Sequence, residues 1–374
     1  MLKLRLPLPV FRNASEIVNG KNARMALKGI TANRVALVIS TTFEDSTYFE
    51  QILRLINSES TRVIKKTWAG EPSLSSVSTL VHEFEEFRPD YILALGGGSV
   101  IDGAKLAWLL YEHPLTSAAT LFKPFTSPPL RGRAKFGAIP TTIGSGSEVS
   151  SAAVLLRDDN ISKQAIVTHD FLPDLVILDP ELVAEVPLGI LKSTVSDALS
   201  HAVEGYVSQI KHPLMDIFAE KAVQLIFKNR SYFGDDAWGI EVIEELQYAA
   251  MLAGLVQNHC MVGLSHAIAH QLGNFNIAHG LANGLLMPAV IDFNSSEKVV
   301  KNKYENLCIN AGVSGIASLK GLFKSLTSGA KPSLVFSKDQ LAAIGDLAVF
   351  DSGGQANPVP FSASDVRELI KICL

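Results

Sequence analysis

The first half of the chain alternates short apolar runs with helix-periodic segments, and this alternation strongly limits the folds open to it. Apolar runs at 34–39, 61–67 and 91–95 enclose segments of helical spacing at 46–57 and 74–87. Strands alternating with helices of this length predict β-α-β units with a parallel sheet. Continuous apolar runs also suit a sheet that is covered on both faces. Further strands are predicted at 136–139, 152–156 and 175–178.

The pattern changes after Asp179-Pro180, where strand-like runs end and long helical segments begin. We therefore predict two domains, an α/β domain over 1–185 and an all-helical domain over 186–374. The loop 114–133 is expected to hold one helical turn at most. Helices of the second domain are predicted at 190–209, 213–229, 236–258, 261–273 and 281–291.

Composition excludes several classes of protein. The 374 residues are 47% apolar and 19% charged, with a net charge of −4, which is typical of a globular protein without a basic nucleic-acid surface. No apolar run reaches the roughly 18 residues that span a bilayer. Three scattered cysteines, Cys260, Cys308 and Cys373, suit a reducing compartment. We expect a cytoplasmic protein with neither nucleic-acid nor membrane partners.

A glycine loop connects the strand at 91–95 to the following helix and reads Gly96-Gly97-Gly98-Ser99. Bare backbone at a helix N-terminus favours a bound phosphate, and Ser99 is expected to cap the helix and to donate to the anion. A tight strand–helix turn without a ligand is the alternative. Asp102 is a candidate for a ribose or nicotinamide-amide contact, whereas Lys105 is either part of the site or a solvated charge.

A second polar loop follows the strand at 136–139 and contains Thr141, Thr142 and Ser145. Hydroxyl groups on a flexible backbone suit contacts with phosphate, ribose and adenine. A solvated serine- and threonine-rich loop is the alternative.

Two blocks of potential metal ligands lie about seventy residues apart. Asp197 and His201 are four residues apart, as are His266 and His270, so each pair lies on one helix face. His279 follows the second pair. Imidazole with a carboxylate suits Fe(II), Zn(II) or a similar ion. Either block alone could be ordinary surface or core residues, whereas the two together favour a metal site.

These motifs resemble those of the iron-containing (group III) alcohol dehydrogenase family. The resemblance rests on GGGSVIDGAK (96–105), PTTIGSGSEVS (140–150), DLVILDPEL (174–182), DALSHAVEGYVS (197–208), GLSHAIAHQLG (263–273), HGLANGLLMP (279–288) and NPVPF (357–361). It implies an N-terminal dinucleotide-binding α/β domain and a C-terminal all-helical metal-binding domain, the architecture shared with dehydroquinate synthase.

The resemblance also implies roles for individual residues. A divalent metal, usually Fe(II), would be held by Asp197, His201, His266 and His279, while His270 would line the site as a proton relay or as a packing residue. The implied nucleotide contacts are Gly97, Gly98 and Ser99 on the pyrophosphate, Thr141, Thr142 and Ser145 around the adenine and phosphates, and Lys163 beside the nicotinamide ribose.

The implied function is a metal-dependent, NAD(P)-linked alcohol dehydrogenase or aldehyde reductase that acts on small primary alcohols or aldehydes. The ion would stabilise charge on the substrate oxygen while the nicotinamide transfers hydride. A glycerol dehydrogenase-like polyol enzyme is the nearer alternative. A dehydroquinate-synthase-type lyase is the remoter one, because its sugar-phosphate chemistry favours a cluster of cations that 190–210 and 255–285 do not contain.

Two departures from the family pattern affect these expectations. Thr41 stands where many relatives carry an aspartate that binds the adenosine ribose and repels a 2′-phosphate, so both NAD and NADP stay open. The spacing from His270 to His279 is one residue shorter than the family pattern, which requires a tighter loop before His279. The family also suggests a homodimer.

Overall fold

The computed structural model describes residues 10–156, 163–275, 277–330, 332 and 335–374. Contacts between residues divide the chain into two compact units. The α/β unit comprises 12–186 with 239–247, and the helical unit is formed mainly by 187–238 and 248–374.

The α/β unit is built on a parallel sheet of six strands in the order β1-β8-β5-β4-β2-β3. This arrangement confirms the predicted α/β fold with a parallel sheet. The weakly apolar first strand was not predicted. The eight strands of the described chain are β1 Glu16–Asn19, β2 Ala32–Ile39, β3 Ser58–Lys65, β4 Tyr91–Gly96, β5 Lys135–Pro140, β6 Ala152–Leu156, β7 Lys163–Val167 and β8 Leu175–Leu178.

Strands β6 and β7 form a separate antiparallel hairpin, with Ala152 opposite Val167 and Leu156 opposite Lys163. The segment 152–156 is therefore a strand, as predicted, but it does not belong to the parallel sheet. Its side chains alternate between buried and half-buried, which is typical of a strand with one covered face. The β7 strand was not predicted, because Lys163 and Gln164 interrupt its apolar pattern.

Helices cover both faces of the sheet. On β4, Ile92 and Ala94 pack into one buried cluster with Phe84 and Trp108, whereas Leu93 and its neighbours pack into a second cluster on the opposite face. Burial on both faces explains why this strand is apolar throughout. The helices of this part of the chain are α1 Phe49–Leu55, α2 Ser78–Phe87, α3 Gly98–Glu112, α4 Ala118–Leu121 and α5 Pro180–Val183; α4 is the single turn expected in 114–133.

Helices alone follow residue 187 in the described chain, and none of the described helices is long and apolar enough to cross a membrane. Helices α6 and α10 approach closely because α10 carries glycines toward α6. A Cβ on Gly280 would lie 2.1 Å from Ser193 O, and one on Gly284 would lie 2.0 Å from Ser196 Oγ. The helices are α6 Leu188–Val207, α7 Pro213–Lys228, α8 Ile240–Cys260, α9 Leu264–Leu272, α10 His279–Asn294, α11 Lys298–Asn310, α12 Ile316–Leu326, α13 Lys338–Phe350 and α14 Ala363–Cys373.

Candidate active site

Helix α6 places Asp197, His201 and Glu204 on one buried face. Their spacing of four and then three residues stacks the side chains along the helix. All three residues are buried, with exposures of 6%, 3% and 2%. Burial of two acids and an imidazole in one row requires partners from other elements, because isolated buried charges are costly.

The partners come from helices α9 and α10. His266 Nε2 lies 3.5 Å from Asp197 Oδ1, and His279 Nε2 lies 3.7 Å from the same oxygen. His201 Nε2 lies 4.0 Å from it. The structure therefore brings all four predicted metal ligands around one carboxylate oxygen. Gly280 allows this, since the close approach of α10 to α6 places His279 beside Asp197.

The tightest group consists of Asp197, His201 and His266, whose ligand atoms all lie within 4.8 Å of one another in the described chain. The His201 and His266 rings stack with centroids 4.7 Å apart. His279 is less enclosed, with a side chain that is 25% exposed. It begins α10 directly after the shortened loop, in which Asn276 lies outside the described residues.

The electrostatics of the group favour a cation at its centre. Burial alone would raise the pKa of Asp197, but the imidazoles of His201, His279 and His266 hold it well below its usual range. Burial alone would lower the pKa of His266, yet Glu204 and Asp197 raise it to about 9. The same negative groups that stabilise a proton on His266 would stabilise a metal ion, which replaces that proton when the neutral imidazole binds it.

A buried nitrogen of His266 also indicates a metal ion at this position. His266 Nε2 is buried and has no hydrogen-bond partner among the described residues, whereas its Nδ1 lies 2.6 Å from Glu204 Oε2. Buried polar nitrogens are rarely left unpaired, so an orphan of this kind calls for a ligand. Nε2 separations from Asp197 of this size suit ligand atoms that share one ion with bonds of about 2.0–2.2 Å.

Sequence reasoning missed two residues that support these ligands. Glu204 Oε2 lies 2.6 Å from His266 Nδ1, and Asn283 Nδ2 donates to Asp197 Oδ1 over 2.9 Å. The spacing of Glu204, seven residues after Asp197 on the same helix, was a usable signal. Asn283 likewise lies four residues after His279, on the same face of α10.

His270 lies beside the group, with its ring stacked on that of His279 at a centroid distance of 5.3 Å. Its Nδ1 lies 2.9 Å from Asp351 Oδ2, and Asp351 Oδ1 accepts the backbone N–H of Gly353. The imidazole holds the pKa of Asp351 below its usual range, although burial acts in the opposite direction. Asp351 therefore fixes the ring orientation of His270 and leaves Nε2 for another partner.

In the α/β unit, the structure brings the two predicted nucleotide loops together. A Cβ on Gly98 would lie 2.6 Å from Ser145 Oγ, and one on Gly97 would lie 3.3 Å from Thr142 Cγ2. Thr141 N donates to Gly96 O over 3.0 Å. The glycines are thus required by the close approach of the second loop, as well as being suited to an anion.

Ser99 does not cap helix α3 as predicted. The helix begins at Gly98, its N-cap residue is Gly97, and no side chain caps it. The Ser99 hydroxyl donates to Gly70 O and accepts from Trp68 Nε1 and Lys66 Nζ, at 3.0 and 3.2 Å. The hydroxyl is held by the segment after β3 because that segment crosses the helix N-terminus.

Asp102 and Lys105 are both buried, so the reading of Lys105 as a solvated charge is wrong. Lys105 Nζ donates to three backbone carbonyls, those of Ser147, Ser150 and Ala152, at 2.6, 2.8 and 3.2 Å. Asp102 Oδ2 accepts the N–H of Val154 over 3.0 Å. A ribose or an amide would have to share Asp102 with this hydrogen bond.

Thr41 and Lys163, the two other predicted nucleotide contacts, lie outside the two loops. Thr41 is exposed just after β2. The side chain of Lys163 is 7% exposed, and its Nζ forms an ion pair with Glu71 Oε1 over 2.8 Å. Lys66, which was not predicted, lies next to β2, because its backbone N–H donates to Ile39 O over 3.0 Å. Pairing between strands β2 and β3 gives no sequence signal, which is why Lys66 was missed.

Two family models match the chain, iron-containing alcohol dehydrogenase over residues 14–180 and the Fe-containing alcohol dehydrogenase C-terminal family over residues 192–374. The chain belongs to the iron-containing alcohol dehydrogenase family. Membership confirms the recognised family, the fold class and the alcohol dehydrogenase class of function that the motifs predicted.

Individual relatives agree with this assignment. The chain is 29% identical to an NADPH-dependent butanol dehydrogenase from Clostridium saccharobutylicum, over 99% of this chain and 97% of the relative. It is 33% identical to an aldehyde-alcohol dehydrogenase of Streptococcus pneumoniae over 70% of this chain, but only 31% of that longer protein is covered. The structure of an iron-containing alcohol dehydrogenase from Thermococcus thioreducens matches with a TM-score of 0.86 and 27% identity, over 97% of this chain and 99% of that one.

Proposed function

We propose that this protein is a metal-dependent, nicotinamide-linked dehydrogenase that interconverts small primary alcohols and aldehydes, with Fe(II) as the resident ion and Zn(II) as a competent substitute. The observation that carries the proposal is the group of three imidazole Nε2 atoms at 3.5–4.0 Å from one oxygen of a buried carboxylate. Neutral nitrogen ligands with a single carboxylate suit both ions.

Asp197, His201, His266 and His279 would hold the ion. A divalent ion held there supplies Lewis-acid stabilisation of the charge on the substrate oxygen. Asp197 contributes the negative charge, and Asn283 fixes its orientation through the 2.9 Å hydrogen bond to Oδ1. The three imidazoles would bind as neutral ligands, so Asp197 would be the one charged ligand of a divalent ion held there.

His270 is proposed as the residue that accepts the alcohol proton and passes it on. Its Nδ1 is held by Asp351, so its Nε2 is the nitrogen free to exchange a proton. Its side chain is 19% exposed, compared with 2% for His266, and this gives a proton a route to solvent.

For the nucleotide, Gly97, Gly98 and Ser99 are proposed on the pyrophosphate, with Thr141, Thr142 and Ser145 on the adjoining loop. The backbone of Gly97 and Gly98 opens helix α3, whose N-terminal N–H groups favour an anion. Asp102 and Lys163 are proposed near the nicotinamide end, although both already have protein partners.

We propose NADPH as the preferred coenzyme. Thr41 carries no charge that would repel a 2′-phosphate, and Lys66 supplies a cation beside the end of β2 and within 3.2 Å of Ser99. The relative from Clostridium saccharobutylicum is described as NADPH-dependent. Because Lys66 also donates to Ser99, Lys66→Gln should weaken the binding of both coenzymes, with a loss about ten-fold larger for NADPH than for NADH. Lys65→Gln, which removes a cation paired with Glu44, should change neither. An equal loss for both coenzymes would contradict this role.

The activity itself is tested with protein loaded with Fe(II) or Zn(II) and a panel of short primary alcohols and aldehydes. We expect turnover with a nicotinamide coenzyme, recorded as the change in near-ultraviolet absorbance of its reduced form. No turnover on any alcohol or aldehyde with either coenzyme would contradict the proposal.

The same panel separates the alternatives. Strong preference for glycerol and other vicinal diols would favour the polyol dehydrogenase. The lyase is disfavoured because, in the part of the chain that the structure describes, the side chain of Asp197 contacts histidines and Asn283 and not a cluster of lysines and arginines. The cytoplasmic location and the homodimer stay predictions, and light scattering of the purified protein tests the dimer.

A further inference from the structure

A second buried carboxylate, Glu204, lies directly behind the proposed metal ligands. It is 2% exposed and sits three residues after His201 on helix α6. Both of its oxygens are occupied. Oε2 accepts from Gly263 N and lies 2.6 Å from His266 Nδ1, while Oε1 accepts from Ser265 N over 2.7 Å. Both oxygens of Glu204 therefore contact helix α9, and we expect the residue to act through these partners.

The contact with His266 decides which ring nitrogen is available. An ionised carboxylate accepts hydrogen bonds and cannot donate them, so the proton of a neutral His266 has to sit on Nδ1. The lone pair is then on Nε2, the nitrogen that faces Asp197 over 3.5 Å. A carboxylate behind an imidazole also makes the opposite nitrogen a stronger base and a better metal ligand.

The two backbone contacts make this orientation rigid. Gly263 and Ser265 begin helix α9, so Glu204 binds the first turn of the helix that carries His266. The carboxylate thus fixes the position of α9 relative to α6 and the tautomer of His266 together. A carboxylate that served only to cap α9 would contact the backbone N–H groups alone, whereas Glu204 also contacts Nδ1 of His266, one helical turn further along.

We infer that Glu204 is the positioning residue that selects the metal-binding tautomer of His266 and sets the affinity of the centre for its divalent ion. The inference rests on the proposed metal site and deepens it. A glutamine at this position has one accepting oxygen and an amide group that donates. We expect the glutamine oxygen to take the Oε1 position, where it accepts the N–H of Ser265. The amide group then takes the Oε2 position, where it loses the N–H of Gly263 and would donate to His266 Nδ1. That reverses the tautomer and places a proton on Nε2, where the ion should bind.

The test compares the Zn(II) affinity of full-length wild type and Glu204→Gln by competition with a chromophoric chelator. We expect an affinity loss of about 10–100-fold with the protein still folded by circular dichroism. Glu112→Gln is the matched control, because Glu112 is also buried and its oxygens accept the backbone N–H groups of Arg131, Gly132 and Arg133. It should lower stability without changing the Zn(II) affinity.

A second readout reports the tautomer directly. In Zn(II)-loaded wild type with labelled histidine, nitrogen NMR should show a protonated Nδ1 and an unprotonated Nε2 for His266. Glu204→Asp keeps the negative charge but moves the carboxylate away from His266, because its side chain is one methylene shorter. It should retain this tautomer with an intermediate Zn(II) affinity. If Glu204→Gln does not fold, Glu204→Asp takes its place in the comparison.

Unchanged Zn(II) affinity and an unchanged tautomer in Glu204→Gln would overturn the inference while leaving the metal site intact. Wild type that binds no Zn(II), or that binds it equally well after His266→Ala, would overturn the proposed metal site and this inference with it.

Discussion

Each unit of the molecule buries a cluster of charged side chains, and the two clusters balance their charge in different ways. The lysine cluster of the α/β unit consists of Asp102, Lys105 and Glu148, all at most 5% exposed. The histidine cluster of the helical unit consists of Asp197, His201, His266 and His279. The lysine cluster contains its own cation, the side chain of Lys105, whereas the histidine cluster surrounds the carboxylate of Asp197 with imidazoles.

The pKa values of the acids reflect this difference. Burial raises the pKa of Glu148 to about 7, and Lys105 only moderates the effect. In the histidine cluster the imidazoles outweigh burial and the pKa of Asp197 falls well below its usual range. In the lysine cluster, Lys105 binds the backbone carbonyls of 147–152 as a bound cation would. The histidine cluster gains most from a cation supplied from outside.

Removing the internal cation should have the largest effect on stability. Lys105→Met leaves three carbonyls and the buried acids without their partner, so we expect the free energy of unfolding to fall by about 3–5 kcal/mol. Urea denaturation followed by circular dichroism measures the loss. Lys28→Met, at an exposed position of the same unit, should change stability by no more than about 0.5 kcal/mol. Equal stability of the two variants would show that Lys105 is not the centre of its cluster.

Removing the external cation should have the next largest effect, confined to the histidine cluster. At free Zn(II) of about 100 times its dissociation constant, binding should stabilise wild type by about 2.7 kcal/mol relative to chelator-treated protein. His201→Ala should lose this gain, and His82→Ala, at an exposed histidine of α2, should keep it. Thermal unfolding with and without chelator gives both numbers. A gain that survives in His201→Ala would place the ion elsewhere.

A smaller effect is expected from the amide that holds Asp197. Asn283→Ala removes the 2.9 Å hydrogen bond to Oδ1, and Zn(II) affinity should fall about ten-fold. Asn294→Ala provides the control, since Asn294 is equally buried on α10 but bonds to Tyr304 and Asn357. Chelator competition measures both. The same loss of affinity in the two variants would indicate a general effect of disturbing α10.

The smallest predicted effect concerns pH and the pair of His270 with Asp351. The pKa of Asp351 is lower in the folded protein than in the unfolded chain, so its contribution is present above its unfolded pKa and is lost as the pH falls through the folded value. The stability advantage of wild type over Asp351→Asn should therefore be constant near neutral pH and shrink as the pH falls below about 4. Urea midpoints across this range measure it, and a constant difference would contradict the ion pair.

The fold was largely predictable because its strands are buried on both faces. Runs such as 91–95 have no polar positions, so their identity as strands was plain in the sequence. The short edge strand β1 and the β6–β7 hairpin were harder, since their burial depends on which element covers them. Asp102 illustrates the point, because its bond to Val154 N ties the hairpin to α3 and nothing local in the sequence signals it.

In the candidate site, too, contacts between residues close in sequence were predictable and contacts between residues far apart in sequence were not. Asp197 and His201 were found from spacing on one helix, and Glu204 could have been found by extending that spacing. Asp351 could not, because it lies 81 residues from His270 and approaches it only through the packing of the folded chain. Lys105 was misjudged for a related reason, since its three carbonyl partners lie 42–47 residues away.

The histidine cluster is the proposed metal centre of this dehydrogenase. Titration of chelator-treated protein with Co(II) tests it most directly, because the ligand-field absorption of Co(II) reports its ligands. Wild type should bind about one Co(II) per chain with a spectrum of mixed imidazole and carboxylate coordination, and Asp197→Ala should lose both the stoichiometry and the spectrum. Asp197→Ala that binds Co(II) with the wild-type stoichiometry and an unchanged spectrum would contradict the claim.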